Sequence, residues 1–177
     1  MKSFFFVFQT FLILAVALAL MNVLGVSGRA ADAVAMPKQM LVYFGTYTGA
    51  KSKGIYQARL DLASGKLTTP ELAGEARNPS FLAIHPSHKF LYAASEVDNF
   101  SGQPTGAVAA FALDAGTGKL TALNQQSSGG SGPCHLVVDK GGKHVLVANY
   151  TGGSVEALPI QDDGRLGAPT AFIQHAG

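Results

Sequence analysis

The 177-residue sequence has a single cysteine, Cys134, and no tryptophan. One thiol cannot close an internal disulfide, so even in an oxidising compartment the fold must be held by packing. A nucleophilic cysteine needs a partner base, and the lone Cys134 is expected as a small, buried, apolar side chain. Charge is also scarce: 14% of residues are charged, against roughly 25% in ordinary soluble domains. Thirteen basic and eleven acidic residues leave a net charge of +2, which excludes a polyanion-binding surface built on basic excess. Nucleic acid is therefore not an expected partner. Hydrophobic residues make up 47% of the chain, too many for disorder. Glycine is what the sequence has in excess, at 21 residues and with no collagen period. That excess predicts many tight turns and speaks against helical bundles and coiled coils.

The N-terminal segment stands apart. Lys2 precedes an apolar run from Phe4 to Val26, interrupted only by Gln9, Thr10 and Asn22. Gly28-Arg29-Ala30 and Ala31-Asp32-Ala33 follow, both small-x-small sequences of the kind a signal peptidase accepts. The pattern predicts a signal peptide over residues 1–30, cut after Ala30 or Ala33, then a linker over 31–39 and export to the periplasm or the medium. The alternative is a retained anchor over residues 4–26, since a run of that length just spans a bilayer. Cleavage after Ala30 removes Lys2 and Arg29 and no acid, so the remainder has no net charge to draw it to a membrane surface.

Beyond residue 40 the sequence repeats. Pro79-Ser80-Phe81-Leu82-Ala83-Ile84-His85 and Lys89-Phe90-Leu91-Tyr92-Ala93-Ala94-Ser95-Glu96 recur, without a gap, as Pro133-Cys134-His135-Leu136-Val137-Val138-Asp139 and Lys143-His144-Val145-Leu146-Val147-Ala148-Asn149-Tyr150. Leu41 to Gly49 is a third copy of the second half, with Tyr47-Thr48-Gly49 matching Tyr150-Thr151-Gly152. Asp61 before Gly65-Lys66-Leu67 and Asp114 before Gly118-Lys119-Leu120 mark recurring hairpin turns. One unit of about fifty residues predicts four strands, Ser80–His85, Phe90–Ser95, Ala107–Asp114 and Leu120–Ser127. Four-stranded units at this period describe the blades of an all-β propeller. The first unit starts at its second strand, Leu41–Thr46, and the last ends with Ala171–His175. The expectation is eleven strands, just under three blades, where a closed ring needs at least about four blades. The sequence therefore reads as the N-terminal piece of a longer protein, inactive alone.

Several of these segments resemble the opening of the lactonase-type seven-bladed propellers, the group typified by 6-phosphogluconolactonase and related to muconate-lactonising enzymes. They are Leu41-Val42-Tyr43-Phe44-Gly45-Thr46-Tyr47-Thr48, Asn78-Pro79-Ser80-Phe81-Leu82-Ala83-Ile84-His85-Pro86, Gly132-Pro133-Cys134-His135 and Ala148-Asn149-Tyr150-Thr151-Gly152-Gly153. The resemblance covers residues 41–177. It implies a ring of seven blades, about 350 residues at fifty per blade. It also implies hydrolysis of a small sugar-acid lactone without a metal or organic cofactor. The participants would be His, Glu and Arg around the central channel, several of them on blades beyond residue 177.

Lactone hydrolysis needs a base to activate water and donors for the oxyanion that develops at the carbonyl. His135, on an innermost strand, and Glu96, at the end of a second strand, are the catalytic candidates present. Each also has an ordinary reading, as a structural histidine and a solvated loop acid. Arg77, entering an innermost strand, is the candidate for an anionic group on the substrate. Asn149 and Tyr150 are candidate hydrogen-bonding contacts, with turn and packing roles as their alternative. His85 and His88 are spaced like metal ligands, but Pro86 and the hairpin between them speak against a metal site. Gly129-Gly130-Ser131-Gly132 lacks the Lys and helix of a phosphate cradle. Three functional readings stay open: an exported lactonase, a non-catalytic binding propeller, and a lactone-forming cycloisomerase. Because sugar phosphates are kept in the cytoplasm, export favours an unphosphorylated lactone.

Overall fold

The computed structural model describes residues 37–176. The expected signal segment, its reading as an anchor, and the linker up to residue 36 lie outside the described residues. Among the described residues no helix is long and apolar enough to cross a membrane. The described residues form eleven strands: β1 Gln39–Gly45, β2 Gly54–Asp61, β3 Glu71–Glu75, β4 Pro79–Ile84, β5 Phe90–Ser95, β6 Ala107–Leu113, β7 Leu120–Ser127, β8 Pro133–Val138, β9 His144–Asn149, β10 Ser154–Pro159 and β11 Ala171–Gln174. They make three antiparallel meanders, β1-β2-β3, β4-β5-β6-β7 and β8-β9-β10-β11, which are blades 1 to 3. The all-β, four-strand expectation holds, and blade 1 shows three strands among the described residues. β1 and β8 both pack on β4, and β3 packs on β7, so the blades lie side by side in sequence order.

Why the blades stack is written in the burial of their strands. Blade 2 is covered on both faces. Leu91 and Ala93 of β5, with Ala109 and Phe111 of β6, meet Ile55 and Ala73 of blade 1. The alternate residues Tyr92, Ala94, Val108 and Ala110 meet Leu136, Val145, Val147 and Leu158 of blade 3. A strand buried on both sides cannot alternate polar and apolar, so Ala107–Phe111 reads as an unbroken buried apolar run. Burying a side chain the size of Phe111 contributes about 1.5–3 kcal/mol. Blade 3 is covered on one face only, and β10 alternates accordingly: Ser154, Glu156 and Leu158 are buried, while Val155, Ala157 and Pro159 are not. Its other face leaves Val137, Leu146 and Ile173 at 42–58% exposure around a cavity of about 380 Å³.

Polar contacts repeat between blades. The Tyr43 hydroxyl donates to the Gly118 carbonyl at 2.9 Å, and the equivalent Tyr92 hydroxyl donates to the Gly164 carbonyl at 3.0 Å. Each second-strand tyrosine thereby grips the outer hairpin turn of the next blade. Leu146 occupies the third position and carries no donor. The Asn124 carboxamide both donates to the Leu166 carbonyl and accepts from the Leu166 N–H, and His85 Nε2 sits 3.0 Å from the Gly142 carbonyl. The expected hairpin turns form around acids. Asp61 accepts from the Ala63 and Ser64 N–H groups, and Asp114 from those of Gly116 and Thr117. Those donors hold both carboxyls below the usual carboxylate range.

The expected burial of Cys134 is corrected: it is exposed. The β8–β9 register shifts between Pro133 and His135, making Cys134 the extra residue of a bulge and turning it out of the alternation. Ser80 occupies the same bulge position between Pro79 and Phe81 in blade 2.

Candidate active site

The ends of β1, β5 and β9 place three repeat-equivalent residues, Tyr47, Glu96 and Tyr150, along one rim of the blades. Tyr47 and Glu96 meet across the joint between blades 1 and 2, where the Tyr47 hydroxyl donates to Glu96 Oε2 at 2.7 Å. That bond to the carboxylate, together with some burial, raises the Tyr47 pKa above that of a free phenol. Local sequence explains the approach. Gly45 ends β1 where any Cβ would stand 1.9 Å from the Pro79 carbonyl, so glycine is what lets β1 close on the start of β4.

Asn78 seals the same corner. Its Oδ1 accepts from the Thr48 N–H at 2.9 Å and the Thr48 hydroxyl at 2.8 Å. Its Nδ2 donates to the Glu96 carbonyl at 3.0 Å, and its own carbonyl accepts from the Glu96 N–H at 2.9 Å. Asn78 has φ of 44°, a left-handed conformation. Two side chains at this corner, Ser80 and Ser95, carry buried hydroxyl oxygens with no hydrogen-bond partner. Glu96 is half-buried, and Tyr150, on the blade 3 side, is 83% exposed.

The remaining candidates lie apart from this corner. The His135 ring packs against Phe81, tilted by 48° with centroids 4.2 Å apart, and is exposed at the uncovered face of blade 3. Arg77 is exposed and lines a cavity of about 490 Å³ with Thr48, Ser52, Lys53 and Gln125. Asn149 is buried, and its Nδ2 is taken by the Ser128 carbonyl at 2.7 Å and the Ser154 hydroxyl at 3.1 Å. One amide proton therefore holds the β7–β8 connection and the other the start of β10, leaving none for a substrate. Among the described residues no group of three or more His, Cys, Asp or Glu stands ready for a metal ion. Sequence reasoning missed Tyr47, Thr48 and Asn78. A signal existed for Asn78: it stands before Pro79 where Gly132 stands before Pro133, and Gly132 also has a positive φ of 64°.

A row of three antiparallel blades, two of four strands and one showing three among the described residues, with a carboxylate–phenol pair at their rim, defines part of a β-propeller. The chain belongs to the seven-bladed β-propeller family described as "Lactonase", whose model matches residues 41–177. It is 41% identical over 135 residues to the 6-phosphogluconolactonase of Bacillus subtilis, covering 76% of this chain and 37% of that protein. A crystal structure from Bacteroides fragilis superposes with a TM-score of 0.72 at 36% identity, covering 82% of this chain and 39% of the other. The structure of a Pseudomonas aeruginosa periplasmic gluconolactonase gives 0.69 at 28% identity, covering 77% and 39%. The chain thus spans less than two-fifths of the length of these relatives.

Proposed function

We propose that this chain forms part of a propeller that hydrolyses a sugar-acid lactone to its open-chain acid outside the cytoplasm. The observation that carries the reading is the Tyr47–Glu96 pair, set at the blade rim of a chain 41% identical to a 6-phosphogluconolactonase. In this reading the Glu96 carboxylate takes a proton from water as the water oxygen bonds to the lactone carbonyl carbon. The oxyanion so formed accepts a hydrogen bond from the exposed Tyr150 hydroxyl. When the tetrahedral centre collapses, the bond to the ring oxygen breaks and Glu96 returns its proton to that leaving oxygen. Tyr47 keeps one carboxylate oxygen occupied, which leaves the other to face water. Arg77 receives an anionic substituent where the substrate has one, and His135 serves as a proton carrier on the blade 3 side.

The apolar N-terminal run with its small-x-small exits supports export, and export favours an unphosphorylated lactone. The periplasmic gluconolactonase among the relatives supports the same choice. The test is a pH-stat assay of the complete propeller carrying this sequence, with δ-gluconolactone and its 6-phosphate in parallel and the spontaneous rate subtracted. Turnover of the unphosphorylated lactone is expected, and this 177-residue chain alone is expected to show none. Turnover of the phosphate ester only would overturn the substrate assignment. Binding of both lactones without turnover would favour a binding propeller instead.

A further inference from the structure

We propose that Asn78 is a positioning residue for the Glu96–Tyr47 pair, an inference that rests on the hydrolytic reading above. Its carboxamide touches neither the carboxylate nor the phenol. It binds the backbone on both sides of them: Thr48, next to Tyr47, through Oδ1, and Glu96 through Nδ2. With the Tyr47 hydroxyl on Glu96 Oε2, these contacts close a ring that runs Tyr47, Thr48, Asn78, Glu96 and back to Tyr47. The ring joins positions 30 and 18 residues away from Asn78 on two different blades.

The backbone shows that this side chain is retained at a cost. Asn78 has φ of 44°, and a left-handed residue other than glycine costs of the order of 1 kcal/mol. Blade 3 makes the same turn with Gly132 at φ 64° and keeps the backbone bond, the Tyr150 N–H donating to the Gly132 carbonyl at 2.8 Å. The turn therefore requires only glycine. What asparagine adds is the carboxamide, and the residue that carboxamide fixes is Glu96, where blade 3 has Tyr150 free and 83% exposed. Glycine forms the turn beside Tyr150, and asparagine the turn beside the acid. A carboxylate released from this ring would lose its orientation towards water, and misplacement by about 1 Å can cost on the order of 10²-fold in rate.

The experiment is a double-mutant cycle of Asn78→Gly and Glu96→Gln in the complete propeller, read as kcat and KM for δ-gluconolactone. Asn78→Gly keeps the turn and relieves the left-handed backbone, which offsets part of the three lost hydrogen bonds, so its urea midpoint should fall only modestly and the protein stays folded under assay conditions. Its kcat should fall about 10- to 100-fold with KM changed less than about twofold. In the Glu96→Gln background the same replacement should lower kcat no further, because the group it positions is already gone. Asn78→Asp, which keeps the acceptor for Thr48, should recover part of the rate. Equal loss in both backgrounds would make Asn78 a purely structural residue and overturn the proposal, as would full kcat in Asn78→Gly. Full activity in Glu96→Gln would instead remove Glu96 from the reaction, and the positioning role would fall with it.

Discussion

Replacing Glu156 by glutamine should stabilise this protein at neutral and alkaline pH and do little in acid. Glu156 lies on the covered face of β10, 5% exposed, and its Oε1 has no hydrogen-bond partner. Its Oε2 lies against Gly129, where a Cβ would come within 1.9 Å, with Phe172 beside it. Val147 and Ser154 are its neighbours on the sheet, and burial alone pushes its carboxyl from 4.5 to about 7. The raised value means the folded state holds the proton more tightly than the unfolded state. Stability is therefore unaffected below about 4.5, falls as pH rises from there to about 7, and is flat above. A move of that size is worth about 3 kcal/mol at its limit. Water drawn towards an ionised carboxylate at the joint screens part of this, so about 1–2 kcal/mol is the working figure. With five tyrosines and no tryptophan, tyrosine fluorescence during urea titration reads the unfolding. Glu156→Gln should exceed wild type by that margin at pH 8 and match it near pH 4.5. The acids whose carboxyls are held low by backbone donors, Asp61, Asp114 and Asp139, lose their contribution as pH falls below the usual carboxylate range. They do so in both proteins and cancel in the difference. A variant no more stable than wild type at pH 8, or one offset equally at both pH values, would show that ionisation of Glu156 does not oppose folding.

Tyr92→Phe should lower stability by about 1–2 kcal/mol in a urea titration, because the fully buried Gly164 contact loses its donor. Tyr43→Phe, whose contact is half-buried, should cost less, and equal losses would detach the effect from burial. In the complete propeller, Arg77→Ala should raise KM for an anionic lactone about tenfold and leave that for a neutral one unchanged. Equal effects in steady-state assays would take Arg77 out of the site. N-terminal sequencing of exported material should begin near Ala31 or Val34, and material beginning at Met1 would refute cleavage.

The middle of the fold was the most legible part. β5 and β7 fall where the sequence places them, for different reasons: β5 is an apolar strand buried between blades 1 and 3, whereas β7 is largely polar and partly exposed, and is bounded by the Gly118 turn before it and by Gly129-Gly130 after Ser128. β3 offered no comparable boundary: Glu71–Glu75 is a short edge strand with one buried residue, Ala73. The outward turn of Cys134 was hidden for a related reason, since a bulge changes facing without changing composition. Glu96 and Tyr150 were readable as unlike residues at one repeat position. The partnership of Glu96 with Tyr47 was not, because it joins residues 49 apart through the packing of two blades. Asn149 was legible as a polar strand end, but its confinement to the Ser128 loop depends on how blade 3 meets that loop.

The proposed hydrolysis turns on a carboxylate of the second blade, Glu96, activating water. The measurement that reaches it most directly is the rate of δ-gluconolactone opening, followed by pH-stat, for the complete propeller and its Glu96→Gln variant. Enzymatic turnover well above the spontaneous rate is expected, reduced in the variant by about 10²-fold or more. A wild-type protein no faster than spontaneous opening, or a variant as fast as wild type, would contradict it.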